Sequence, residues 1–318
     1  MQTNLKTKPV WIQLLLFIGM AFSLFIILSF IGAGILSAIT GISMFQLQNL
    51  GKADPHDANM IFFIRGMLLI QFIGLWLVPT LLFAFLSDPH PMSYIGLKAP
   101  NKKIYWILGV MAMLIAIPFV EYTGVLNQQM NFGTAAQKWM KTMEEEAARQ
   151  IQFMMIKHSP TELVLNLVFI SLFAGIGEEL FFRGILQRML IRAFKSPWLG
   201  IIVTAFLFSA FHFQFYGFIP RFIMGIILGA VYWYSGSLWT SIIAHFAYDA
   251  LIIVILYTNP SLAQNPDSTM FNPATIIFPA ILSGIVTFLV IRHMKKLSTV
   301  SYREVYKNDK SYSDPFSF

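Results

Sequence analysis

Glu178, Glu179 and Arg183 lie inside an otherwise apolar run, Gly175-Ile176-Gly177-Glu178-Glu179-Leu180-Phe181-Phe182-Arg183-Gly184. A charge at the centre of a bilayer-spanning helix costs about 2.5–3.5 kcal/mol even on the lenient insertion scale, so these three require partners, water or a task. The chain has 15 acidic residues and 6 histidines. Most lie in loops or at the ends of apolar runs, as His56, His90, His158 and His293 do. Five lie well inside the runs: Glu178, Glu179, His212, His245 and Asp249, on three separate segments. Each has a plain structural explanation: a buried ion pair for Glu179 and Arg183, a backbone-bonded core histidine for His212, a polar helix contact for His245 and Asp249. Their coincidence points instead to a catalytic or ion-handling site, because an ionisable residue within a membrane segment is a functional candidate by default.

Spacing sorts these residues. Glu179 and Arg183 are four apart and share a helix face, as do Phe208 and His212, and His245 and Asp249. Glu178 is turned about 100° from Glu179, which leaves Glu179 to the ion pair and Glu178 to a cavity. A carboxylate with a histidine can hold and deprotonate a water, and a second histidine with a polar partner can stabilise an oxyanion. The same side chains could hold a divalent metal such as zinc, which takes imidazole nitrogen and carboxylate oxygen and keeps a position for water. Metal-free and metal-assisted hydrolysis both stay open. The chain has no GxSxG elbow, no HExxH and no cysteine, so the common serine, zincin and thiol signatures are missing.

These residues need helices to position them, and the composition places those helices in a membrane. Hydrophobic residues make up 57% of the chain and charged residues 12%, about half the charged share of a soluble domain. Eight apolar runs are long enough to cross about 30 Å of hydrocarbon: Val10–Ile39, Ile61–Leu86, Ile104–Val120, Glu162–Gln187, Trp198–Phe218, Ile219–Tyr234, Leu238–Tyr257 and Ala274–Ile291. The first outlasts a signal-peptide core and reads as a retained span. The expected fold is an all-α, polytopic transmembrane bundle of about eight spans. With the N-terminus in the cytoplasm, the cytoplasmic segments hold Lys6 and Lys8, then Lys98, Lys102 and Lys103, then Arg188, Arg192 and Lys195, then Arg292, Lys295 and Lys296. The opposite side has Lys52, a mixed-charge loop, and the basic-free stretches 213–217 and 258–273. Both termini are therefore expected to be cytoplasmic. The same rule accounts for the net charge of +7, and no basic patch interleaved with stacking aromatics points to nucleic acid.

Four smaller features complete the reading. Residues 135–156 carry Trp139, Met140, Met143, Ala147, Ile151, Met154 and Met155 at helical steps, giving an amphipathic helix either packed on the bundle or lying along the bilayer. Gly225 and Gly229 form a GxxxG, read as close helix packing. Pro79, Pro118 and Pro279 are expected kinks. The tail after Leu297, with Tyr302, Tyr306 and Tyr312, is polar and expected to be disordered or surface-bound. The chain divides into N-terminal membrane helices and the amphipathic helix (1–160), core helices carrying the ionisable residues (161–257), and a last span with its tail (258–318), all within one membrane domain.

Over about 161–257 the chain resembles the CPBP family of type II CAAX prenyl proteases and bacteriocin-processing or self-immunity proteins. The family pattern is EExxxR, then FxxxH, then HxxxN or a near variant, each on its own membrane helix. Here these are Glu178-Glu179-Leu180-Phe181-Phe182-Arg183, Phe208-Ser209-Ala210-Phe211-His212 and His245-Phe246-Ala247-Tyr248-Asp249. The resemblance implies an intramembrane endopeptidase acting on a membrane-associated or lipidated protein or peptide, in a lipid bilayer, the bacterial inner membrane by family breadth. By analogy Glu178 and His212 activate the water, His245 and Asp249 stabilise the oxyanion, and Glu179 with Arg183 holds the site in shape. The departure is Asp249 where Asn is usual: an amide donates a hydrogen bond as it stands, an aspartate only when protonated. Two other classes are weighed: a non-catalytic membrane scaffold or immunity protein, and an ion-coupled transporter, against which the absence of internal repeats argues.

Overall fold

The computed structural model describes residues 5, 8–43, 46, 54, 56–264 and 275–306. Lys6, Lys52, Tyr312 and much of the 258–273 stretch lie outside them. The described residues are mostly helical and include no strand. Seven helices among them are long and apolar enough to cross a membrane. They are α1 (Val10–Thr40), α2 (Ala58–Ser87), α3 (Ile104–Gln128), α5 (Pro160–Phe194), α7 (Phe218–Ser235, with a short turn before it from Phe215), α8 (Leu238–Thr258) and α9 (Ile277–Leu297). Two more matter to the site: the amphipathic α4 (Thr134–Met155) and the apolar α6 (Pro197–Ala210).

The fifth expected span, Trp198–Phe218, differs from its expectation. Its helix α6 has 14 residues, about 21 Å of rise against about 30 Å of hydrocarbon. The chain turns after Ala210, where Phe213 takes a left-handed φ of 54°, and restarts as α7. The turn falls at His212, so this histidine stands at a helix end inside the protein.

Local signals set the boundaries. Ser159 caps α5, its Oγ accepting from the Glu162 N–H at 3.2 Å, and Glu162 then forms an ion pair with Arg65 of α2. Pro118 breaks α3 as expected. The gap it opens is filled by Ser283 of α9, whose Oγ donates to the Ile115 carbonyl at 2.5 Å and accepts from the Phe119 N–H at 3.3 Å. A side chain inserted into the backbone ladder is a recognised source of kinks. Beyond the break α3 continues to Gln128, eight residues past the expected end at Val120.

Apolar side chains face outward on α1 and α9, where Leu15, Phe30, Phe278 and Phe288 are exposed, as lipid-facing positions should be. At one end of the bundle the basic loops meet. Lys102 Nζ donates to the Leu297 carbonyl at 3.0 Å, and Ser237 Oγ to the Lys98 carbonyl at 2.5 Å. The C-terminal segment returns there as well: Tyr306, on a short helix α10 (Tyr302–Tyr306), is buried and donates its hydroxyl to the Arg188 carbonyl at 2.8 Å. That part of the tail is thus docked into the bundle.

Candidate active site

The segment from Glu179 to Gln187 in α5 is π-helical, a geometry that recurs at functional sites. Every residue in it is buried. Glu179 and Arg183 have no solvent exposure at all, and Arg183 Nη1 donates to Glu179 Oε1 at 2.6 Å. Arg183 also donates through Nη2 to the Gly225 carbonyl of α7 at 3.2 Å, and its guanidinium lies 4.5 Å from the centre of the Phe208 ring of α6. One arginine therefore contacts three helices. Such a charge is tolerated only when paired and hydrogen-bonded.

The pair has a third member that spacing within one helix did not reveal. His245 of α8 places Nδ1 3.1 Å from Glu179 Oε1. Its Nε2 lies 3.4 Å from Asp249 Oδ2, one turn along α8. Both ring nitrogens thus face carboxylates. His245 joins the sealed ion pair to Asp249, which reaches open space.

That space is a cavity of about 610 Å³. Glu178, Phe208, His212, His245 and Asp249 line it, whereas Glu179 and Arg183 do not. Adjacent carboxylates are separated as the sequence suggested, one sealed and one facing the cavity. His212 Nε2 stands 3.9 Å from Glu178 Oε1. Its Nδ1 is 2.8 Å from the Phe208 carbonyl, a group left without a helical partner at the end of α6. A carbonyl only accepts, so Nδ1 carries the proton and the Nε2 of the neutral ring presents a lone pair to the cavity.

Three further charged residues line the same cavity: Glu121 of α3, Glu144 of α4 and Arg221 of α7. Glu121 lies just beyond the expected end at Val120, in the part of α3 that continues to Gln128. Arg221 is neither an acid nor a histidine, but a lone arginine inside an apolar run is an equal signal in the sequence. It is held by Gln214, donating to the backbone carbonyl at 2.9 Å and to the side-chain oxygen. Glu144 comes from the amphipathic helix, which packs over the cavity with Ala147, Gln150 and Ile151 on its wall. Burial pushes the Glu144 carboxyl up from its ordinary range, against the opposing pull of Arg221 and the Tyr216 backbone. The Trp139 and Phe215 rings pack 5.0 Å apart beside it.

The part of the chain that carries this geometry is also the part that resembles a known family. Residues 160–251 match the model of the type II CAAX prenyl endopeptidase Rce1-like family. The Rce1-like segment runs from the start of α5 into α8 and encloses all six expected site residues. The chain is also 26% identical over 191 residues to an Escherichia coli protein described as an uncharacterized 24.3 kDa protein, covering 59% of this chain and 76% of that one. It is 30% identical over 90 residues to the uncharacterized protein YpbD of Bacillus subtilis (strain 168), covering 27% of this chain and 43% of the relative. No solved structure matches the chain significantly.

The donor set also bears on the metal. A catalytic zinc site takes three protein ligands. Among the described residues no three His, Asp or Glu side chains come together as metal ligands. Glu178 and His212 supply two donors, and both nitrogens of His245 are turned to carboxylates. The described residues do not fit a three-ligand centre.

The geometry separates structural from cavity-facing charge, and thermal unfolding in detergent checks the separation. Arg183→Met leaves the Glu179 carboxylate buried without its cation, which costs about 3–5 kcal/mol, and should lower the midpoint sharply. Glu178→Gln, facing the cavity, should leave it near the wild-type value.

Proposed function

We propose that this chain is an intramembrane endopeptidase that hydrolyses a peptide bond of a membrane-associated protein or peptide, with a water activated by Glu178 and His212. The observation that carries the reading is their approach from separate helices to 3.9 Å across one cavity, with the remaining nitrogen of His212 already committed to Phe208. The Rce1-like match supports a CAAX-type intramembrane protease at the level of the family.

The two facing atoms are both acceptors and are too far apart for a direct hydrogen bond. A water between them can donate one proton to each. Its lone pair is then free to attack the carbonyl carbon of a peptide bond in the cavity. Glu178 takes the proton released in the attack and passes it to the leaving amine as the C–N bond breaks. The products are a carboxylic acid and an amine, with the atoms of one water divided between them.

The tetrahedral oxygen needs a donor. His245 does not offer a free one, since its nitrogens face Glu179 and Asp249. Asp249 supplies that donor as a carboxylic acid: its Oδ2 stays turned to His245 Nε2, and the proton it carries on its other oxygen is donated to the tetrahedral oxygen. The sealed pair of Glu179 and Arg183 fixes the ring of His245 and so the position of Asp249. The topology belongs to the same proposal: both termini are cytoplasmic, the gathered basic loops mark the cytoplasmic end, and the membrane is the bacterial inner membrane. The membrane-associated substrate reaches the cavity from within the bilayer or its surface.

Cleavage of a membrane-anchored peptide in proteoliposomes tests the reading. Glu178→Ala and His212→Ala should each lower the rate by a factor of about 10²–10⁴, with the protein still folded in the membrane. Equal cleavage by wild type and both variants would sink the proposal and leave a non-catalytic scaffold. Asp249→Asn should retain activity, since an amide supplies the donor without needing a proton. Its complete inactivity, with intact protein, would remove Asp249 from the oxyanion site.

A further inference from the structure

Gln187 stands one more step of four along the face of α5 that carries Glu179 and Arg183, and the chemistry above gives it no task. It is fully buried. Its Nε2 donates to the Gly229 carbonyl of α7 at 3.0 Å, while Arg183 Nη2 donates to the Gly225 carbonyl at 3.2 Å. The two donors are four residues apart on α5, and the two acceptors are four residues apart on α7. The helices are thus joined by two parallel side-chain-to-backbone bonds in matched register.

The acceptors are the two glycines of the GxxxG. A carbonyl inside a helix keeps a second lone pair, but a side chain from a neighbouring helix reaches it only where the surface is bare. A Cβ on Gly229 would lie 2.7 Å from Gln187 Oε1 and 2.9 Å from Ile201 Cγ2. A Cβ on Gly225 would lie 2.9 Å from the Cβ of Ala205 on α6. A Cβ at Gly225 would press on the Ala205 backbone, and one at Gly229 would push the ends of the Gln187 and Ile201 side chains aside. The motif therefore does more than allow close packing: it exposes two backbone acceptors to the helix that bears Glu178.

We propose that Gln187 is a positioning residue, and that its bond to Gly229, beside that of Arg183 to Gly225, fixes the axial register of α5 on α7 and thereby the place of the Glu179–His245 contact and of Glu178. One contact leaves α5 free to pivot; two contacts a turn apart remove that freedom. The consequence is large because a slip of one residue moves a helical position by 1.5 Å and turns it about 100°, enough to take Glu178 away from His212. In its kinetic part the inference rests on the peptidase reading.

The test reads His245 directly. In ¹⁵N-histidine-labelled full-length protein in detergent, the ring resonances of His245 are identified by their loss in His245→Gln. Gln187→Leu, which keeps the bulk and removes the donor, should shift these resonances and lower kcat by on the order of tenfold to a hundredfold, with KM unchanged. Gly229→Ala should do the same, because its Cβ displaces Gln187. Met294→Ala, in the fully buried packing of α9 away from the site, should lower thermal stability without moving the His245 resonances. The inference is overturned if Gln187→Leu behaves like Met294→Ala, less stable but with wild-type His245 resonances. Should the wild type cleave no peptide, the peptidase reading fails while the resonances still decide the positioning role.

Discussion

The ion pair between Glu179 and Arg183 is the constraint on which the rest of the arrangement depends. Two charges with no solvent exposure have lost their hydration, at a cost of several kcal/mol per ion that Coulomb attraction and hydrogen bonds must offset. The offset comes from several helices. Gly225 of α7 supplies a carbonyl, Phe208 of α6 a ring face, and His245 of α8 an imidazole. Because these partners lie on different helices, the pair is satisfied only when α5, α6, α7 and α8 sit in one mutual arrangement. Such a pair adds little net stability, since apolar residues of similar volume would pack as well. It acts here as a lock that selects one packing from many.

That packing produces the cavity. Locking α5 turns Glu178 away from Glu179 and toward the end of α6, where the helix stops and His212 satisfies a carbonyl released by the stop. Locking α8 through His245 carries Asp249 to the same wall. Polar groups that would be a liability in a lipid-facing position thus gather where the bundle itself encloses space. The amphipathic helix α4 covers that space with its own polar side chains.

Much of this was legible in the sequence because membrane helices obey simple rules. The approximate places of seven spans follow from apolar run length, although eight were expected, and steps of four residues identify Glu179 with Arg183, Phe208 with His212, and His245 with Asp249. The sealed and cavity-facing roles of the two glutamates follow from the helix turn. Other features depend on long-range packing that no local pattern encodes. The short α6 was hidden because apolar residues continue through the turn at His212–Phe213. The contact between His245 and Glu179 joins residues 66 positions apart. Glu121 lay beyond the expected end of α3 because the apolar run stops at Val120, whereas the helix continues past the Pro118 kink, which Ser283 of α9 bridges. The GxxxG was visible, but its use as a pair of acceptors for Arg183 and Gln187 was not.

The central claim is that a water, activated between Glu178 and His212, attacks the peptide carbonyl directly. A single turnover in H₂¹⁸O followed by mass spectrometry of both product and enzyme tests it most directly. The account predicts one ¹⁸O atom in the new C-terminal carboxylate of the product and none in the peptide that contains Glu178. Label in the Glu178 carboxylate, or a product carboxylate whose new oxygen came unlabelled from the enzyme, would contradict it.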